Sequence, residues 1–184
     1  MRKVHSHGFS LIELLVTLVV VAILLSSAQP LVAGLLESRR VAGAADAVQT
    51  TLHYARSESV MQMTPMVVTY AMDGTDAWQI GLSDRIGCDP TVLDPEVAEA
   101  CSIPIGGERV MKVFHSTQFP GVAAGANRPE TRFDPVRGTT LGTNVTVRLR
   151  SASGKEVRVI VSNIGRVRSC SPAGAGKVLG YAVC

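Results

Sequence analysis

Residues 14–36 contain no charged side chain, and a single carboxylate, Glu13, stands immediately before them. A membrane-spanning helix needs about 20 predominantly apolar residues. The run therefore predicts one long apolar helix, not an element of an ordinary water-soluble core. The leader Met1-Arg2-Lys3-Val4-His5-Ser6-His7 is basic, which favours holding it in the cytoplasm and exporting the chain behind it. A charge inside an apolar helix costs roughly 2.5–3.5 kcal/mol near the helix centre. Glu13 therefore predicts a partner for its carboxylate.

Three readings account for an apolar run behind a basic leader. A cleavable secretory signal would use Ser26-Ser27-Ala28 as its small-residue site and leave a mature N-terminus near Gln29, with an exported enzyme behind it. It places Glu13 in what should be an apolar region. A plain signal anchor leaves Glu13 equally unexplained. The third reading uses the whole motif Gly8-Phe9-Ser10-Leu11-Ile12-Glu13-Leu14-Leu15. This motif resembles the prepilin signature of type IV pilins and type II secretion pseudopilins. The resemblance implies cleavage after Gly8 by a prepilin peptidase and methylation of the new N-terminus, Phe9. It also implies that Glu13 registers subunits, its carboxylate meeting the N-terminal amine of a neighbour. Loss of one partner from such a buried pair is strongly destabilising.

The 184 residues leave room for one anchor and one domain. The expected division is a leader at 1–8, a transmembrane and filament-core helix at 9–36, and a globular domain at 37–184. The helix continues into that domain over 37–63. There, Val41, Ala45, Val48, Leu52, Ala55 and Ser59 recur at helical spacing on one face. Arg39, Arg40, Asp46, Gln49, Arg56 and Glu58 mostly take the other positions. Pro30 should kink or weaken the helix. A helix over about 9–63 would reach roughly 80 Å at 1.5 Å per residue.

Past Pro65 the period changes from helix to strand. Residues 66–72 and 77–82 read as a hairpin around Asp73-Gly74. Residues 83–108 are acidic, broken by Pro90, Pro95 and Pro104, and expected to form a surface loop. Residues 109–115 read as one strand and 121–127 as a small-residue loop. Residues 144–150 and 155–161 form the clearest hairpin, with Val145, Val147 and Leu149 on one face and Val157, Val159 and Val161 on one face. Arg148 and Arg150 then point the opposite way, and Arg158 is expected with them. The architecture is α+β: a long N-terminal helix packed against an antiparallel β-sheet.

Charge is distributed unevenly. Residues 67–127 hold three basic and eight acidic side chains, whereas residues 128–184 hold ten basic and three acidic ones. The second half therefore suggests a polyanionic partner, although basic residues on a strand face also discourage edge pairing. The four cysteines form no CxxC pair, which argues against zinc. Behind an export signal they suggest disulfides. Three connectivities are open; the expectation is local pairing, Cys88–Cys101 closing a loop and Cys170–Cys184 pinning the C-terminus.

Signals for catalysis are weak. His53 and His115 are the histidines beyond the leader, and no nucleophile–base arrangement is identifiable. Gly174-Ala175-Gly176-Lys177 fails as a phosphate loop, with Ser171 where the first glycine belongs and Val178 where a hydroxyl must reach magnesium. The carboxylates of Asp84, Asp89, Asp94, Glu96 and Glu99 match no calcium-loop spacing. No motif implies a cofactor, a metal or an enzyme. The remaining candidate is Gly165-Arg166-Val167-Arg168. Its arginines project to one side of an extended chain, and guanidinium forks suit phosphate.

Tyr54-Ala55-Arg56-Ser57-Glu58, Phe133-Asp134 and the segment from Ile160 through Arg168 resemble the GspH/FimT family of minor pilins and pseudopilins. For FimT the family implies capture of double-stranded DNA in natural transformation, through a glycine–arginine element. That role transfers to Gly165, Arg166 and Arg168; charge position adds Arg148, Arg150, Arg158 and Lys177. The expected setting is the bacterial inner membrane, with the C-terminal domain in the periplasm and then a pilus or pseudopilus. The expected partners are other pilins, the peptidase and DNA. The competing role is an H-type pseudopilin of a type II secretion system, purely structural.

Overall fold

The computed structural model describes residues 10–184, except the side chains of 27–31. The expected cleavage and methylation at Gly8 and Phe9, the kink at Pro30 and the signal-peptidase alternative therefore lie outside the described residues. The chain divides into two units, Met1–Leu36 and Glu37–Cys184.

Helix α1 spans Leu11–Met61. It starts where Ser10 acts as a cap: its Oγ accepts from the Glu13 amide at 3.3 Å. This is the Ser-x-x-Glu spacing of a capping box. Glu13 thus sits in the first turn, where the helix dipole favours a carboxylate. Every large aliphatic side chain from Leu11 to Leu25 is exposed. A helix apolar on all sides is built to be surrounded. Among the described residues no helix is long and apolar enough to cross a membrane. The uncharged run reaches spanning length only through residues 27–31, whose side chains are not described.

In the second unit the helix becomes one-sided. Val41, Ala44, Ala45, Val48, Leu52, Ala55 and Ser59 are fully buried. Glu58, expected on the solvent side, is buried as well; its carboxylate accepts from Gln62 Nε2 at 2.5 Å. The helix stops because Met63 turns left-handed, with φ 51°, and the Thr64 amide reaches back to Ser59 O at 3.2 Å. That six-to-one bond closes a Schellman end, and Pro65 forbids continuation.

Ten strands follow: β1 (Met66–Ala71), β2 (Gln79–Ser83), β3 (Ser102–Ile105), β4 (Glu108–Met111), β5 (Val113–His115), β6 (Val122–Ala126), β7 (Glu130–Phe133), β8 (Val145–Ser151), β9 (Glu156–Val161) and β10 (Val167–Cys170). They form two four-stranded sheets, ordered β5-β2-β1-β7 and β10-β9-β8-β6, and a separate β3-β4 hairpin. All named pairings are antiparallel. The inner faces of both large sheets and the buried stripe of α1 share one core. Trp78 is the largest of its fully buried side chains, its indole N–H donating to Val122 O at 2.8 Å.

Three expectations need correction. Residues 83–108 are not wholly irregular, since residues 102–105 pair with β4. The turn is Gly106-Gly107, with φ 63° and 93°; glycines supply the two positive φ values of a two-residue hairpin turn. Residues 109–115 are not one strand: the chain breaks at Lys112, β4 pairing with β3 and β5 with β2. Residues 121–127 are not a loop but contain β6, paired along β8. Alanine and glycine give no alternation to read, so the partner strand defines β6. Strands β7 and β10 likewise come from tertiary pairing. Both disulfides, Cys88–Cys101 and Cys170–Cys184, are formed. The first packs on Gly81 of β2, where a Cβ would stand 2.1 Å from Cys101 Sγ.

Candidate nucleic-acid interface

The β10-β9-β8-β6 sheet has one buried and one exposed face. Along β8 the valines and Leu149 are buried while Arg148 and Arg150 are exposed. Directly opposed residues on neighbouring strands share a face, so register identifies the outer surface. Arg148 lies opposite Arg158, Arg150 opposite Glu156, and Ile160 opposite both Thr146 and Arg168. On the other flank Arg148 faces Gly125 and Arg150 faces Ala123. Arg148, Arg150, Arg158 and Arg168 thus occupy one surface, bordered by residues too small to cover them.

Like charges opposed across a sheet are destabilising. The sheet tolerates Arg148 beside Arg158 because Glu156 accepts from Arg158 Nε at 2.6 Å. That carboxylate accounts for one arginine. Among the described residues the ion pairs are Arg109–Asp84, Arg132–Glu130 and Arg158–Glu156. Arg148, Arg150, Arg166 and Arg168 are exposed and have no carboxylate in contact.

Arg166 is held by the turn between β9 and β10. Ser162 and Arg166 close it: the Ser162 amide donates to Arg166 O at 3.0 Å and the Arg166 amide to Ser162 Oγ at 3.2 Å. The Gly165 amide adds a bond to Ser162 O at 2.8 Å. Gly165 has φ +76°, and a Cβ there would stand 1.9 Å from Gly138 O. Both facts demand glycine. The fully buried Thr140 ties the same loops together, its amide donating to Asn163 O at 3.0 Å. The glycine–arginine element is therefore braced against residues 134–140.

The tail fixes the other end of β10. Cys170 pairs with Arg158 in register and is bonded to Cys184. Ser171 Oγ donates to Glu156 O at 2.7 Å and accepts from the Val178 amide at 2.9 Å. Tyr181 anchors the tail to α1, its hydroxyl donating to Asp46 Oδ1 at 3.2 Å. Burial and Asp46 push that phenol up to about 12. Lys177 lies on the tail rather than on a strand, half-buried and bridged to Glu156. Ser162 lies within the segment singled out in the sequence, whereas Gly138 and Thr140, which brace the same turn from another loop, carry no site signal of their own. The five loop carboxylates do not converge. Asp84 is paired with Arg109, and Asp89 and Asp94 bond to neighbouring loop amides. Among the described residues no group of three or more metal-ligating side chains occurs.

A family model, Type II transport protein GspH, matches residues 44–165. The chain belongs to the GspH family. A prokaryotic N-terminal methylation motif matches residues 3–28. The GspH match ends at Gly165, so Arg166 and Arg168 stand just beyond it. The fold is similar to the crystal structure of the Pseudomonas aeruginosa type IV minor pilin FimU: TM-score 0.51, 18% identity, 74% of this chain and 95% of that one covered. A second crystal form of FimU gives a TM-score of 0.48 at 17% identity, covering 72% and 97%. No curated relative matches the chain. The α+β fold is that of a type IV pilin, and the GspH family and fold are those of structural filament subunits that assemble with other pilins or pseudopilins.

Proposed function

We propose that this GspH-family chain is a minor type IV pilin that binds double-stranded DNA through the outer face of its β10-β9-β8-β6 sheet. The observation that carries this reading is the row of exposed arginines without carboxylate partners, Arg148, Arg150, Arg166 and Arg168, with Arg158 between them. Such a face neutralises phosphates irrespective of sequence and releases counterions, so affinity falls steeply with salt. The glycine–arginine element is braced in advance, which lowers the ordering cost of binding.

The N-terminus supplies assembly in this reading. Prepilin peptidase cuts after Gly8, Phe9 is methylated, and the uncharged helix holds the subunit in the bacterial inner membrane with its domain in the periplasm. Glu13, already in the first helical turn, pairs with the amine of a neighbouring Phe9 in the filament. An intact mass starting at Phe9 with one added methyl is expected; a mature N-terminus near Gln29 contradicts it.

The DNA reading is tested with the full chain in detergent micelles. Wild type should retard duplex DNA, and the double variant Arg166→Ala, Arg168→Ala should retard it much less with unchanged thermal unfolding. Equal retardation by the two proteins sinks the assignment. The second reading is the H-type pseudopilin of a type II secretion system, favoured by the transport description of the matching family. It predicts no retardation by wild type and neighbouring genes for secretion rather than pilus assembly.

A further inference from the structure

Arg56 lies on α1, in the segment of the helix that feeds the sheet domain. It is half-buried. Among the described residues the other half-buried arginines have partners: Arg109, Arg132 and Arg158 each hold a carboxylate, and Arg85 donates to Val97 O. The Arg56 guanidinium has neither. The nearest carboxylates in the sequence and in the adjoining loop are engaged elsewhere. Glu58 accepts from Gln62, and Asp134 accepts from the amides of Val136 and Arg137.

Its setting is built from two glycines. A Cβ at Gly138 would stand 2.8 Å from Arg56 Nε and 3.3 Å from its Cγ, and one at Gly165 would stand 3.2 Å from Nε. Both glycines have left-handed φ, +61° and +76°. Residues 134–140 and 162–166 thus close over the arginine stem with room for hydrogen alone. Gly165 is the residue before Arg166. A guanidinium held in this way, partly desolvated and without a counter-ion, lacks the charged acceptor that would offset its burial. A phosphate oxygen supplies one, in the charge-assisted geometry that guanidinium favours.

We infer that Arg56 is a further phosphate-contacting residue, meeting the DNA backbone beside Arg166 from the helix side of the turn. This rests on the DNA-binding reading above. It extends the interface from the strand face around the β9–β10 turn onto α1. A purely structural Arg56 would contribute its apolar stem to packing and nothing more.

The test uses full-length protein in detergent micelles and a short fluorescent duplex, with anisotropy followed across a salt series. Arg56→Met keeps the stem and removes the fork. It should weaken binding about five- to tenfold and lower the slope of log K against log salt by about 0.9, the loss of one phosphate contact. Arg56→Lys should keep the slope and recover part of the affinity. Near-ultraviolet dichroism from Trp78 reports folding, and Arg56→Gln serves with the same expectation if the Met variant does not fold. Wild-type affinity and slope in a folded neutral variant overturn the inference, whatever its thermal stability. The Arg166→Ala, Arg168→Ala protein is measured alongside. If it loses binding while Arg56→Met does not, the inference falls and the DNA reading stands. If wild type does not bind the duplex, both fall.

Discussion

Two regions of the domain treat charge in opposite ways. In residues 83–111 polar groups satisfy one another. Arg109 bonds Asp84 at 2.6 Å and also Ser102 Oγ and O, Arg85 reaches Val97 O, and Asp89 is held by Thr91. The hydrogen bonds from Thr91 hold the Asp89 carboxyl below its ordinary range. On the outer face of the β10-β9-β8-β6 sheet, by contrast, Glu156 is the one carboxylate paired with an arginine. Charges of the first kind build a loop. Charges of the second kind repel one another, and in the proposed reading the phosphates of DNA complete them. Arg109 is engaged within the fold, whereas the outer-face arginines are, in the proposed reading, left for phosphate, a distinction that net charge conceals.

The largest effect that could break this contrast comes from the two disulfides. Each closes a short loop, with sequence separations of 13 and 14, and loops of that size stabilise by about 3 kcal/mol. Cys88→Ala with Cys101→Ala should lower stability by that order in chemical unfolding and leave DNA affinity unchanged. Cys170→Ala with Cys184→Ala should lower stability similarly and also weaken binding, since it frees the tail behind β10. Equal effects on binding would erase the contrast. Gly165→Ala comes next: its methyl meets Gly138 O at a left-handed backbone position, costing about 1–3 kcal/mol and reducing affinity with it.

A smaller effect separates the two kinds of arginine directly. Arg109→Ala leaves Asp84, largely buried at 18% side-chain exposure, without its cation, and should cost about 2 kcal/mol with no change in DNA affinity. The smallest effect runs the other way. Arg148→Thr relieves the opposition with Arg158 and should stabilise by a few tenths of a kcal/mol, seen as a slightly higher unfolding midpoint, while weakening DNA binding. Arg148 would then be a residue that weakens its own sheet and strengthens the proposed binding, the sharpest form of the contrast.

How much of this was legible in the sequence depended on whether side chains carried a period. Val145, Val147 and Leu149 alternate with Arg148 and Arg150, so β8, its partner β9 and the exposed arginines could be read directly, as could the buried helix stripe from Val41 to Ser59. Strand β6 carries mostly alanine and glycine, and its pairing with Arg148 and Arg150 was invisible because small side chains on two faces look alike. The Gly106-Gly107 turn is masked in the sequence by the prolines and acidic residues before it, which suggest an irregular loop. The glycine–arginine element was visible as a motif, but its bracing was not. The contact of Gly165 with Gly138 O joins segments far apart in sequence, and glycine's role there lies in a neighbour's position rather than in its own side chain.

The most direct measurement is the salt dependence of duplex binding by the full chain, compared between wild type and the Arg166→Ala, Arg168→Ala variant. Wild type should show a steep linear fall of log K with log salt, and the variant a slope shallower by about two, with unfolding unchanged. A wild-type protein that does not bind, or a variant with the wild-type slope, would contradict phosphate recognition by the glycine–arginine element.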